Sequence, residues 1–349
     1  MTTPEWLRSA LGKACLLLAS LVFGFIACEL AVRAYEGYPL LPLVPAEPYV
    51  DNALLYRENP SRGYELRPGI DQVVGATPVR IRINAAGFRD DHDPPEEKPP
   101  GVVRVVMLGD SFGFSGKVPI EKTMPAVLAS LLSGTSPGRR YEVFNLSVPG
   151  YNTEQEQLLL EEQGLRYRPD VVLVAFVLND AVPGWQPLAK KPRFPLAVRR
   201  VLKRSYLVQF VYTRIRRLEG KKGGQKTRES PDMVGLSPER PEWLRVRASL
   251  ARMKQAADTG SARLVVLIWP MFEGLKSGYP FRDKHELVAN ACRELGIEVV
   301  DLLPTFEGHE DARFWVAPYD HHPNALANGL AAETVFAALR GGGETRPVR

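Results

Sequence analysis

The chain has 349 residues, with 45 Lys and Arg against 40 Asp and Glu, a formal net charge of +5. A hydrophobic share of 45% beside 24% charged residues is that of a folded protein and excludes global disorder. The basic excess is mild and gathers in the middle third, so no nucleic-acid partner is implied; three cysteines, Cys15, Cys28 and Cys292, provide neither a disulfide framework nor a Cys-x-x-Cys zinc pair.

The first element is apolar. Arg8 and Lys13 precede a run from Ala14 to Cys28, and beyond Glu29 the run resumes to Val32 before Arg33. The uninterrupted part, roughly 15 residues, has the size of a signal-peptide core; counting past Glu29 gives roughly 19, enough to span if the glutamate sits at headgroup level. No small-x-small cleavage site follows, and "FIAC", with Phe25 first, is a poor lipoprotein box. The reading is therefore an uncleaved single-pass anchor, with a lipoprotein leader and a buried core helix as alternatives. Basic residues before the run place the N-terminus in the cytoplasm and the bulk of the chain outside it.

Residues 37 to about 60, rich in Pro and Tyr, read as a linker, and the alternating runs of 64–89 as a β-ribbon closed by the loop "DDHDPPEEKPPG". Strands are then expected at 103–108, 141–146, 171–177, 264–268 and 298–302, and helices at 123–132, 153–164, 243–258, 283–295 and 324–339. Near-continuous apolar strands alternating with amphipathic helices imply a parallel sheet covered on both faces, an α/β sandwich. The expected division is an anchor over 1–36, linker and ribbon over 37–100, and an α/β domain over 101–349 with a basic insertion at about 186–242. Within it, the basic stretch 190–228 reads either as a solvated insertion or lid, or as a surface for anionic lipid or glycan.

The strand ends carry the chemistry, because in such sheets working groups gather beyond the carboxyl ends. "VVRVVMLGDSFGFSG" ends a strand in Gly109-Asp110-Ser111, with Gly109 and Gly113 expected to allow a tight turn. Ser111 is a candidate nucleophile; alone, a turn serine would explain the tripeptide equally well. The second strand ends in "NLSVPG", offering the Gly150 amide, and the third in "VLND", offering Asn179 beside Asp180. Asn-Asp is also a common helix cap, but amide donors beside a nucleophile suit an oxyanion. Of five histidines, His321 and His322 lie in "DHHPN" just before the last helix, close behind Asp320. That grouping can orient an imidazole as general base or serve as a metal site, for which no further ligand cluster with metal spacing appears; capping of the helix is compatible with either.

The four segments resemble the conserved blocks of the SGNH hydrolases, the GDSL-type lipase and esterase superfamily, in the family's order. "INAAGFRD" and the anchor resemble a bacterial membrane-attached subgroup. The resemblance implies a three-layer flavodoxin-like α/β/α fold, Ser111 as nucleophile, His322 as base and Asp320 as its orienting acid. Ser111, Gly150 and Asn179 would form the oxyanion hole, with Asp110 and His321 as possible auxiliaries and no cofactor or metal required. Two departures stand out: Val177 replaces the glycine of the usual Gly-x-Asn-Asp, and the acid position three before the histidine holds Tyr319. The implied activity is hydrolysis of a small acyl ester, acetyl foremost, on a glycan or lipid outside the cytoplasm. The alternatives are an O-acyltransferase using the same triad and a non-enzymatic envelope protein. Tyr151, Trp185 and Trp269, near strand ends, are candidates for lining a substrate site.

Overall fold

The computed structural model describes residues 5–37, 40–41, 50, 52–74, 79–95, 97–135, 139–181, 187–188, 194–195, 197–198, 202, 204–211, 214–215, 236–317 and 320–341. Two compact units are present. One holds Met1–Pro48, Gly75–Pro78 and Pro192–Gln225. Its main element is helix α1 (Glu5–Glu36), of which Gly12–Glu36 is long and apolar enough to cross a membrane, with mean hydropathy 2.4.

The other unit opens with a short helix α2 (Asn52–Leu55) and two antiparallel ribbons. The first pairs β1 (Tyr56–Asn59) with β2 (Gly63–Leu66), the second β3 (Ile70–Val74) with β4 (Val79–Ile83). Strand structure thus begins inside the stretch read as linker. The cause is an aromatic column: Tyr56 meets Tyr64 edge-on at 5.2 Å, and Tyr64 meets Tyr151 at 5.1 Å. Such contacts with a distant segment bury rings that local composition leaves unassigned.

The core is a parallel sheet of β5 (Val102–Gly109), β6 (Arg140–Asn145), β7 (Val171–Val177), β8 (Arg263–Trp269) and β9 (Glu298–Asp301), in the order β6-β5-β7-β8-β9. Every strand lies within a residue or two of its expected place. β7, Val-Val-Leu-Val-Ala-Phe-Val, is buried throughout, as a central strand with both faces covered must be. Between and after the strands come α3 (Ser111–Phe114), α4 (Met124–Thr135), α5 (Thr153–Glu162), α6 (Pro241–Thr259), α7 (Arg282–Glu294), α8 (Leu303–Phe306) and α9 (Ala325–Gly341). The chain moves one way in the sheet from β5 to β6 and the other way from β6 to β7. Right-handed crossovers therefore put α4 and α5 on opposite faces. α9 packs on α4 and α6 on α5, completing three layers. The reversal of direction opens a crevice at the carboxyl ends of β5 and β7.

A last ribbon, β10 (Trp315–Ala317) with β11 (Asp320–Pro323), leads into α9. It covers the Asp/His segment, which the sequence reading left without a strand.

Candidate active site

β5 ends at Gly109, and the chain turns at once into the single helical turn of α3, with Ser111 its first residue. Asp110 caps it: its Oδ1 accepts from the Phe112 amide at 2.8 Å, and the side chain is fully buried. Burial pushes the Asp110 carboxyl up, against hydrogen bonds that favour its charge. Asn145, at the end of β6, donates through Nδ2 to the Gly113 carbonyl at 3.0 Å.

The glycines serve close approach rather than unusual backbone angles. Neither Gly109 nor Gly113 has positive φ, so the tight-turn expectation is corrected. A Cβ on Gly113 would stand 2.3 Å from Ser147 Oγ, and one on Gly109 would stand 3.0 Å from Ala175 Cβ. Gly113 is pressed against Ser147 in the loop after β6, where only glycine fits, and Gly109 lies close against Ala175 of β7. Positive φ falls instead on Ser115, at +50°, where the turn ends. Its Oγ donates to Asn328 Oδ1 of α9 at 2.9 Å.

The residues implied as a triad meet in one bonded chain. Ser111 Oγ lies 2.8 Å from His322 Nε2, and His322 Nδ1 bonds Asp320 Oδ1. The two-residue spacing of Asp320 and His322 follows from β11. In an extended strand residues i and i+2 share a face, so acid and base point the same way and the intervening His321 points elsewhere. His321 stacks on Trp315 at 3.8 Å and 10°, with Nδ1 3.8 Å from Glu273 Oε1. The position of Tyr319 lies outside the described residues.

Burial by itself raises the Asp320 carboxyl, but the His322 bond and charge and the Lys117 ammonium, 2.6 Å from Oδ2, outweigh it. They hold the acid well below the usual carboxylate range. An ionised Asp320 only accepts, so the His322 proton belongs on Nδ1 and Nε2 is left to accept from the Ser111 hydroxyl. This arrangement can draw the proton from Ser111 and return it to a leaving group.

Asn179, in the single turn after β7, donates through Nδ2 to Asp110 Oδ2 at 3.3 Å, the oxygen that also lies 3.3 Å from Ser111 Oγ. Gly150, at φ +79°, lies in the loop between the neighbouring strand β6 and α5. Val177, in place of the usual glycine, is fully buried, and its amide donates to Asp180 Oδ2 at 2.7 Å.

Other expectations are corrected. Trp269 is fully buried against Phe112 and Phe306. Tyr151 is buried with its hydroxyl bonded to the Tyr64 carbonyl. Both are core residues, while Trp185 lies outside the described residues.

Three contributors were missed: Lys117, Asn328 and Arg89. Arg89 is buried, and its Nη1 reaches the Phe114 and Ser115 carbonyls at 2.5 and 2.7 Å; Nη2 reaches Val118 at 2.7 Å. Burial lowers its guanidinium to about 10, which still leaves it charged at neutral pH. It lies in "INAAGFRD", the one signal that could have pointed to it. Lys117 and Asn328 had no such signal. Among the described residues no cluster of three or more His, Cys, Asp or Glu is placed to hold a metal.

Residues 107–330 match the GDSL-like lipase/acylhydrolase family. An arylesterase of Vibrio mimicus is 31% identical over 84 residues, 24% of this chain and 41% of that protein, so the match spans well under two-thirds of this curated relative. Among solved structures, TesA aligns at 15% identity and TM-score 0.45 over 68% of this chain and 98% of its own. Axe2, an acetylxylan esterase from Geobacillus stearothermophilus, aligns at 16% and 0.44 over 70% and 97%.

Proposed function

The chain belongs to the GDSL-like lipase/acylhydrolase family, and on that premise we propose that it is a serine esterase acting on small acyl esters. The observation that carries the reading is the chain Asp320–His322–Ser111, closed at 2.8 Å on the serine. Ser111 Oγ attacks the acyl carbonyl as its proton passes to His322 Nε2. The tetrahedral oxyanion takes the Ser111 and Gly150 amides and Asn179 Nδ2. His322 then protonates the leaving alcohol oxygen, the C–O bond breaks, and the acyl group stays on Ser111 until His322-activated water releases it. Asp320 keeps the imidazole in the productive tautomer. The acyl group is acetyl-sized and borne by a glycan or lipid. The apolar helix holds the enzyme in a membrane, with Arg8 and Lys13 on the cytoplasmic side and the sheet domain outside.

Fluorophosphonate labelling of the full chain, with peptide mapping, tests the site. A single adduct on Ser111 is expected, lost in Ser111→Ala and His322→Ala and kept in His321→Ala. No adduct on folded protein would sink the reading. Hydrolysis of 4-nitrophenyl acetate without a sugar acceptor is expected; transfer to an acetyl-accepting oligosaccharide outrunning hydrolysis would make the chain a transferase.

A further inference from the structure

Glu29 interrupts the apolar run of α1 yet is buried, and it is bonded on every side. It accepts from Arg33 Nε at 2.9 Å, Ser205 Oγ at 2.8 Å, and the amides of Tyr206 and Leu207 at 3.0 and 2.8 Å. The last three lie in the basic insertion, where residues 206–211 are helical. Glu29 therefore caps the start of a second helix from outside it, satisfying amides that a helix leaves open. Arg33 sits over the Tyr206 ring at 5.0 Å, and Tyr35 meets Phe210 edge-on at 6.3 Å. Both elements belong to the same compact unit.

The junction has a definite depth if α1 spans. From Lys13 to Arg33 the helix rises about 30 Å at ~1.5 Å per residue, matching the hydrocarbon thickness. Arg33 then marks the far boundary, and Glu29 lies one turn inside it. The start of the second helix is held at that boundary.

Val211 and Ile215 are exposed, as are Phe194, Val198 and Leu202, spaced four residues apart in the sequence just before the helix. Arg199, Arg200, Lys203 and Arg204 form one basic group and Arg214, Arg216 and Arg217 another, with no Asp or Glu between Phe194 and Leu218. Exposed apolar side chains interleaved with cations, in an element pinned at the membrane boundary, match an interfacial helix on anionic lipid.

We propose that the short helix beginning at Tyr206, with the cations its sequence surroundings carry, is a second membrane contact that binds anionic lipid headgroups and is fastened to the membrane-spanning helix by Glu29. This rests on the reading of α1 as a membrane span. The cap gives a physical reason for an acid in the run: an unpaired charge inside a membrane is costly, and here it is matched by donors.

The test uses the full chain with Cys15 and Cys28 replaced by Ser, carrying one environment-sensitive fluorophore on a cysteine at Val211, Phe23 or Leu244. It is reconstituted into phosphatidylcholine vesicles with or without about one-third phosphatidylglycerol, with acyl-chain spin-labelled lipid as quencher. Quenching of at least twofold is expected at Phe23 in both vesicles, at Val211 with phosphatidylglycerol, and not at Leu244, an exposed residue of α6. Phe23 quenched with Val211 no different from Leu244 would overturn the proposal and leave the anchor intact; no quenching at Phe23 would overturn the anchor itself. Equal quenching at Val211 in both vesicles would overturn recognition of anionic lipid. Glu29→Gln is expected to bring Val211 down to the Leu244 level while Phe23 stays quenched, and an unchanged Val211 signal would overturn the fastening role.

Discussion

Lys117 Nζ lies 2.6 Å from Asp320 Oδ2, on the carboxylate oxygen opposite the one that holds His322. Asp320 is thus gripped from both sides, by the His322 imidazole and by a cation from the loop just after Ser111. Asp320→Asn is expected to lower kcat by about 10⁴-fold by allowing the wrong histidine tautomer. Lys117→Met is expected to cost about 1 kcal/mol, roughly fivefold in kcat, since the ammonium is partly exposed and its pull is screened. The Lys117→Met deficit should shrink at high salt; steady-state kinetics across ionic strength checks both, and a salt-independent deficit would show that the charge is not the cause.

Arg89 organises that loop from beneath through the carbonyls of Phe114, Ser115 and Val118. Arg89→Met takes this donor from the Phe114 and Val118 carbonyls, while the Ser115 carbonyl keeps the Val118 amide, and should destabilise the fold by about 3 kcal/mol, read by urea denaturation. Labelling of Ser111 should weaken in protein that remains folded, because Lys117 sits between the pinned carbonyls. Full stability in the variant would contradict the role.

Gly113→Ala places a Cβ against Ser147 Oγ. Overpacking of this kind costs about 1–3 kcal/mol, and here the displaced element carries Ser111, so activity should fall at least tenfold. Adding Ser147→Gly removes the obstructing atoms, and most of the loss should return, a coupling expected only of touching residues. Failure of the double variant to recover would mean that the clash is elsewhere.

Glu156 and Asp180 are buried behind the site, and burial pushes both carboxyls well above their ordinary values; the Asp110 charge raises both, and Glu156 raises Asp180 as well. In the unfolded chain they ionise at the usual pH, whereas in the folded chain they keep their protons to higher pH. Stability contributed by the protonated forms is therefore complete at acid pH and declines as pH rises above the unfolded value, by up to about 1.4 kcal/mol per unit for one group. Glu156→Gln should flatten this decline between pH 5 and 8, seen as a smaller drop in Tm. Parallel Tm curves for variant and parent would refute it.

The periodicity of apolar residues was enough to set out the five sheet strands, the helices between them and the strand-end position of Ser111. Those features are local: a fully apolar run needs cover on both faces, and a parallel strand needs a helix to return. Ser111, Asn179 and the His321–His322 pair were legible for the same reason, since each sits where one strand or loop ends. What the sequence could not convey was which atoms meet. His321 and His322 are equivalent as letters, and only the extended conformation of β11 turns one toward Ser111 and the other onto Trp315. Trp269 and Tyr151 looked available for a substrate, yet packing from distant segments buries them. Lys117, Arg89 and Asn328 act through partners far along the chain, and no local pattern carries such contacts. Composition and spacing therefore determined the framework and the strand-end place of Ser111, because these depend on near neighbours. Which histidine meets Ser111, the grip on Asp320 and the need for glycine at 113 were decided by tertiary packing, which brings together residues that the chain keeps apart.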